Sequence, residues 1–228
     1  MLLKPSHPLD RPVWNALTTR QAHLAQGDAR ALRLLPDHGP FAAAADSSPA
    51  SLQALVGLIP DGGNVWTVEL DPMPEPPGTI VKSAVVHQMV AETIVPSSPA
   101  FMIEPLTEED APEMLALATL TVPGPFLSRT HRLGAFVGVR QGGRLVAMAG
   151  ERMRLDGFTE VSGVCTHPDF RGRGYAGKLM SVVAQGILSR GEKPFLHVYT
   201  TNAGAIGLYE ALGFRIRASI TATVLARA

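Results

Sequence analysis

Apolar residues recur at helical and strand spacings along this chain, and the order of the predicted helices and strands changes near residue 98. Before that point, an amphipathic segment from Trp14 to Leu24 predicts a helix, and a second helix is predicted from Ser48 to Ile59. We expect Ser48 to cap the second helix, with Pro49 in its first turn. Apolar runs over residues 65–70 and 79–90 predict strands.

The segment Pro96–Pro99 is rich in proline and serine and predicts a linker. We therefore expect an N-terminal α/β region over residues 1–98, of unassigned role, and a second domain over residues 99–228. After the linker the pattern predicts the order strand, helix, three strands, helix, strand, helix and strand. We expect the first strand at 101–104 and a capping box formed by Thr107 and Asp110 ahead of the helix that follows it. A hairpin turn is expected at 141–144, and the last strand, from Phe214 to Val224, should have one buried and one solvated face.

Composition narrows the class of protein. The 228 residues carry 20 basic and 20 acidic side chains, so charge gives no reason to expect a nucleic acid or a membrane as partner. The first residues lack the apolar run of a signal peptide, and one cysteine cannot form an internal disulfide. No His, Cys or carboxylate spacing indicates a metal site. We expect a cytoplasmic protein, either a monomer or a homodimer.

The segment from Val164 to Lys178 carries the clearest chemical signal. It reads as a strand that ends at His167-Pro168, a short loop, and a helix entered through Gly172 and Gly174. Such a turn directs unpaired backbone N–H groups at one point, beside the positive end of the helix dipole. The sequence therefore predicts a phosphate-binding loop.

Two common templates for such a loop fit poorly. A dinucleotide fingerprint matches the glycines, but its acidic residue should end the second strand, whereas Glu192 precedes the strand predicted at 195–200. A nucleoside triphosphate loop also matches, but Leu179 stands where a serine or threonine must bind magnesium.

A third template fits this loop and a second segment together. Arg171–Ala176 satisfies the pattern Q/R-x-x-G-x-G/A, and Asn202–Phe214 satisfies N-x-x-A-I-x-x-Y-E-x-x-G-F. In this order the two motifs resemble the GCN5-related N-acetyltransferase (GNAT) superfamily, and local features resemble its FR47-like and glycine N-acyltransferase-like branch. Over residues 99–228 the resemblance implies an α/β (α+β) fold, in which helices flank a mixed, mostly antiparallel sheet. The N-terminal region is a candidate for a degenerate copy of that fold.

The resemblance also implies a cosubstrate, acetyl-CoA, and the residues that hold it. The glycines allow the backbone to approach the diphosphate closely, and arginines beside them add positive charge. The strand before the loop offers backbone groups to the pantetheine arm, and Asn202 caps the following helix beside the cofactor. The cofactor-binding residues expected on this basis are Val164, Cys165, Thr166, Arg171, Gly172, Arg173, Gly174, Tyr175, Ala176 and Asn202.

Two residues are expected to carry the catalysis. The resemblance places Tyr209 as the acid that protonates the departing thiolate, since a phenol with a pKa near 10 is protonated at neutral pH. Glu160, near the start of the strand before the loop, is the candidate base for the amine. By alternation Glu160 should share a face with Val164. Glu151, His197 or a chain of water molecules are the alternatives, and His131 is expected in a loop on the substrate side.

The function expected from these residues is transfer of an acetyl group from acetyl-CoA to a primary amine of a small molecule or peptide. Two alternatives stay open at this point. One is an N-acyltransferase that uses another acyl-CoA with an amino acid acceptor. The other is a non-catalytic module that binds or senses acyl-CoA.

Overall fold

The computed structural model describes residues 7–95 and 101–228. These residues form five α-helices and eleven β-strands, joined by turns and short 3-10 helices. In chain order the elements are α1 (Pro12–Thr18), β1 (Ala25–Asp28), β2 (Ala31–Leu34), β3 (Ala42–Ala44), α2 (Pro49–Gly57), β4 (Asn64–Glu69), β5 (Thr79–Val90), β6 (Glu104–Leu106), α3 (Ala111–Thr121), β7 (Phe136–Gln141), β8 (Arg144–Leu155), β9 (Phe158–Thr166), α4 (Tyr175–Ser189), β10 (Lys193–Tyr199), α5 (Ala203–Leu212) and β11 (Arg215–Arg227).

Eight strands form the main sheet in the order β4-β11-β5-β10-β9-β8-β7-β6, and β1, β2 and β3 form a small separate sheet. Neighbouring strands of the main sheet are antiparallel except β9 and β10, which run parallel. This confirms the predicted mixed, mostly antiparallel fold. The predicted linker Pro96–Pro99 lies outside the described residues. Strands from both sides of it pair in the main sheet, since β5 lies between β10 and β11.

Helices pack on both faces of the main sheet. On one face, α4 and α5 bury side chains such as Leu179 and Leu212 against Ala147 and Ala149 of β8. On the other face, α3 packs against Met148 of β8, whose side chain points opposite to those two alanines. Residues of α1 and β3 cover a further part of the sheet, around β8 and β4.

Most predicted caps and turns are confirmed. Ser48 accepts a hydrogen bond from the Ser51 N–H at 3.3 Å and caps α2. Thr107 and Asp110 form the predicted capping box ahead of α3. The hairpin between β7 and β8 turns at Gly142 and Gly143, whose φ angles of 57° and 82° suit glycine.

Three predicted elements need correction. The helix that begins near Trp14 ends at Thr18, where the chain leaves helical geometry, and residues 22–24 form only a 3-10 turn. The strand predicted at 101–104 lies at 104–106. Phe101 precedes it, and its ring packs edge-on against Tyr175, with ring centroids 4.7 Å apart. In β11 a register shift between Ile216 and Ala218 interrupts the alternation. Ile216 is consequently 46% exposed.

Candidate active site

The parallel strands β9 and β10 separate partway along their length. They pair only from Lys193–Phe158 to Phe195–Glu160, after which no pairing between them is found in the described residues. The far edge of β9 stays paired with β8 as far as Thr166. Beyond Glu160, the edge of β9 that faces β10 therefore borders a cleft with backbone groups free for a ligand.

The glycine loop stands at the mouth of this cleft. Gly172 and Gly174 have φ angles of 77° and 76°, and a Cβ built at either position meets no protein atom within 4 Å. The first bond of α4 runs from the Lys178 N–H to the Gly174 carbonyl at 3.4 Å. The N–H groups of residues 175–177 therefore lack an acceptor within the helix and can bind an anion.

A cavity of about 800 Å³ joins the loop to the cleft. Thr121 and Pro123, from the end of α3 and the loop after it, close its other side. All ten residues predicted to bind the cofactor line this cavity: Val164, Cys165, Thr166, Arg171, Gly172, Arg173, Gly174, Tyr175, Ala176 and Asn202.

The side chains in this cavity differ in what they offer. Arg171 and Arg173 are exposed, and the Arg173 guanidinium lies 4.8 Å from the centroid of the Phe170 ring. Tyr175 is buried in the core, so that it offers its backbone rather than its ring. Burial raises the pKa of the Cys165 thiol to about 11, which removes it as a nucleophile at neutral pH. Asn202 accepts a hydrogen bond from the Ala205 N–H at 3.2 Å and caps α5, as predicted.

Two further cavities adjoin the first one. One of about 180 Å³ and one of about 830 Å³ share Pro123 and Asn202 with the cofactor cavity. Tyr209 lines both of these cavities and is absent from the lining of the first. Burial raises the pKa of the Tyr209 phenol, so that the hydroxyl keeps its proton at neutral pH.

Glu160 is fully buried, and Arg152 and His197 bind its carboxylate. Its Oε2 accepts a hydrogen bond from Arg152 Nε, and its Oε1 accepts one from Arg152 Nη2, both at 2.8 Å. His197 Nδ1 lies 2.8 Å from the same Oε1. Burial by itself would raise the pKa of the carboxyl, but Arg152 and His197 outweigh it and lower the pKa to about 2. Glu160 is therefore a carboxylate at neutral pH and a weak proton acceptor.

A β-bulge separates Glu160 from the residues that line the cofactor cavity. Met148 pairs with Cys165 and Gly150 with Ser162, so β9 carries one residue more than β8 in this interval. Gly163, with φ of 63°, lies in the bulge. The bulge overturns the expectation that Glu160 and Val164 share a face.

The alternative bases lie in different places. Glu151 is 3% exposed and bound by Arg190 at 2.7 Å, away from the three cavities. His197 lines the 180 Å³ cavity with Tyr209, and its Nε2 lies 3.1 Å from Gln88 Nε2. His131 binds Glu108 at 2.9 Å and lines none of the three cavities.

Sequence reasoning missed the residues that the N-terminal region contributes. Phe41 and Trp66 line the 180 Å³ cavity together with Arg152, whose guanidinium carbon lies 4.7 Å from the centroid of the Phe41 ring. Arg33 and Trp66 line the 830 Å³ cavity. The one available signal was the arginine inside the apolar run of residues 31–35.

Comparison with known proteins agrees with this geometry. Residues 136–223 match the FR47-like protein family. A GNAT-family protein from Novosphingobium aromaticivorans, whose solved structure is assigned as an acetyltransferase, is 50% identical in sequence to this chain. The match covers 98% of this chain and 100% of that chain, with a TM-score of 0.92. No curated protein matches the chain.

More distant structures share the fold. A GCN5-related N-acetyltransferase from Kribbella flavida is 20% identical, with 95% of each chain covered and a TM-score of 0.63. A GCN5-related N-acetyltransferase-like protein from Streptococcus suis is 16% identical, with 94% of this chain and 92% of that chain covered and a TM-score of 0.62.

The chain belongs to the GCN5-related N-acetyltransferase superfamily, as its two motifs predicted, and it is an enzyme of the GNAT N-acetyltransferase type. Within residues 7–95 and 101–228, no helix combines the length and the apolar character needed to cross a membrane. The same residues contain no group of three or more His, Cys, Asp or Glu placed to hold a metal ion.

Proposed function

We propose that the protein transfers an acetyl group from acetyl-CoA to a primary amine by direct attack of the amine on the thioester. The observation that carries this proposal is the cavity of about 800 Å³ that joins the glycine loop to the open edge of β9. Its two ends offer different chemistry, with N–H groups and arginines at the loop and strand backbone beside Val164. That division suits a molecule with a diphosphate at one end and an amide-rich arm leading to a thioester.

The diphosphate is held at the start of α4. The N–H groups of residues 175–177, which have no acceptor within the helix, and the positive end of the helix dipole attract the anion. The exposed Arg171 and Arg173 add charge beside it. The pantetheine arm pairs with the free edge of β9, which brings the thioester towards Tyr209 and the two adjoining cavities.

Acyl transfer needs one proton to leave the amine and one to reach the sulfur. The neutral amine forms the new C–N bond with the thioester carbon, and the C–S bond of CoA breaks. The amine releases its proton to the acceptor described below, while Tyr209 donates its phenolic proton to the departing thiolate and regains a proton from solvent after the products leave. The pKa of Tyr209, raised by burial, keeps the donor protonated until it is needed.

Glu160 acts through His197 in this scheme. Glu160 lines none of the three cavities, so a proton from the amine can reach it only through a neighbour. His197 lines the 180 Å³ cavity and is held by the Glu160 carboxylate at 2.8 Å. We therefore assign Glu160 as a positioning residue that orients His197, and His197 or a water chain ending at it as the proton acceptor.

A thiol-release assay tests the proposal. The protein is incubated with acetyl-CoA and a panel of primary amines, and free CoA is followed. Amine-dependent release supports the enzyme, whereas tight CoA binding without release for any amine supports a binding module. Replacing acetyl-CoA by longer acyl-CoA thioesters in the same assay shows which acyl group the enzyme transfers.

A thermal-shift measurement tests the donor site separately. CoA should raise the melting temperature, because it binds only the folded state, and NAD and Mg-ATP should not. Stabilisation by NAD or Mg-ATP alone would contradict the assignment of the loop to CoA. We also propose the cytoplasm as the compartment, because a chain with one cysteine has no internal disulfide that would call for an oxidising environment.

A further inference from the structure

Arg33 is a buried cation without an anionic partner in the described part of the chain. It lies in β2, is 8% exposed, and is flanked by the apolar residues Leu32 and Leu34. Its Nε donates to the Leu34 carbonyl at 3.3 Å and its Nη1 to the Leu58 carbonyl at 2.9 Å. Among residues 7–95 and 101–228, no hydrogen bond of its Nη2 and no ion pair of its guanidinium is found.

Such a group is costly unless something outside the chain compensates it. Taking a charge out of water is unfavourable, and buried charges in proteins are normally paired. Burial lowers the pKa of Arg33 from its usual value, yet the guanidinium of an arginine stays protonated at neutral pH. The charge therefore persists in the folded protein, with a free N–H group available for an anion.

Arg33 lines the 830 Å³ cavity together with Tyr209, the proposed acid. Among the described residues it is the only charged one in that lining, and none of the described aspartates or glutamates belongs to it. The other walls are mostly apolar or aromatic. They come from Trp66, Pro36, Pro40, Pro60, Pro123 and Leu127.

We propose that Arg33 binds a carboxylate of the acceptor, so that the acceptor is a primary amine joined to a carboxylate through an apolar body. The inference rests on the proposed function, because it assumes that this cavity receives the amine. The guanidinium is planar and offers paired N–H donors that match a carboxylate. The apolar walls take the body of the molecule, and the amine reaches the end of the cavity at Tyr209.

The cofactor does not account for Arg33. The cavity that holds the glycine loop does not include Arg33 in its lining, and Arg171 and Arg173 already stand there. A purely structural role would use the two bonds to the Leu34 and Leu58 carbonyls and would be indifferent to the charge of the acceptor. The two roles therefore differ in what they predict for acceptors that differ only in charge.

The experiment compares matched acceptors with and without the carboxylate. Wild type, Arg33→Gln and Arg33→Lys are assayed with acetyl-CoA and three pairs: 6-aminohexanoate and its amide, phenylalanine and its amide, and phenylalanyl-phenylalanine and its amide. Arg30→Gln is the matched control, since Arg30 lies three residues away, is exposed, and forms an ion pair with the exposed Asp28. Melting temperature and the Kd for CoA establish that each variant is folded.

We expect the wild type to prefer the acid over its amide by about 10- to 100-fold in kcat/KM in at least one pair, as for loss of a hydrogen bond to a charged group. Arg33→Gln should lose that preference through KM, Arg33→Lys should keep part of it, and Arg30→Gln should keep all of it. Three results would each overturn the inference. The wild type could use acid and amide equally in every pair, Arg33→Gln could keep the full preference for the acid, or acetylation could be confined to amines that carry no anion.

A binding measurement keeps the inference separate from the proposed function. Titration with 4-phenylbutyrate and 4-phenylbutyramide, in the presence of CoA, should show tighter binding of the acid to wild type and to Arg30→Gln, but not to Arg33→Gln. Equal binding of acid and amide to wild type overturns the anion site even if acetyl transfer occurs. Absence of acetyl transfer to every amine, with the acid still preferred, overturns the proposed function and leaves the anion site standing.

Discussion

Replacing Glu160 by glutamine keeps the shape of the side chain and removes the charge that holds Arg152 and His197. Arg152 is bound through both its Nε and Nη2 at 2.8 Å, and its side chain is only 13% exposed, so the variant leaves a buried cation unpaired. The pKa of Glu160 is lowered from 4.5 to about 2. At 1.36 kcal/mol per pH unit, this corresponds to about 3 kcal/mol of favourable interaction between the carboxylate and its surroundings. Removing one partner of a buried ion pair typically lowers the free energy of unfolding by about 3–5 kcal/mol.

We therefore expect Glu160→Gln to lose about 3 kcal/mol of the free energy of unfolding at pH 7, measured by urea denaturation. Because the folded pKa of Glu160 lies below its usual value, the stabilisation is present above about pH 4.5 and is lost as the pH falls towards 2. The gap between wild type and variant should narrow over that range. Asp28→Asn, which breaks an exposed pair with Arg30, is the control and should change little. A Glu160→Gln protein within about 1 kcal/mol of wild type would refute the reasoning.

Three further predictions concern the site itself. Tyr209→Phe should lower kcat on the order of 10²-fold with little change in the Kd for acetyl-CoA, and an unchanged kcat would remove its role as acid. Gly174→Ala, at a φ of 76°, should weaken CoA binding about tenfold, because the free loop relaxes from the left-handed conformation and binding must restore it at a cost of about 1–2 kcal/mol. Gly186→Ala, inside the helix that Gly174 caps and with open space around it, should bind CoA normally. Because burial raises the pKa of the Cys165 thiol to about 11, the thiol should react with a disulfide reagent at pH 8 far more slowly in the folded than in the denatured protein. Equal rates would contradict its burial.

The cofactor half of the site could be predicted from the sequence because its determinants are local. A glycine loop, a helix start and a capping asparagine lie within short segments, and their geometry follows from backbone conformation. Gly172, Gly174 and Asn202 therefore stand where their motifs put them.

The acceptor half could not be predicted because it is assembled from residues distant in sequence. Arg33 and Trp66 line one cavity with Tyr209 although they belong to the N-terminal region: Trp66 lies in β4, which joins the main sheet beside β11, and Arg33 lies in β2 of the small sheet. The surroundings of Glu160 were missed for a similar reason, since Arg152 and the bulge at Gly163 depend on strand pairing rather than on alternation within one strand. The boundary at residue 98 and the oligomeric state stay predictions.

The most direct test of the account is the structure of the protein with CoA bound. We expect the diphosphate against the backbone N–H groups of residues 172–177, the pantetheine along the free edge of β9, and the thiol at the Tyr209 hydroxyl, where the acceptor cavities begin. CoA bound elsewhere, or a thiol directed away from Tyr209, would contradict it.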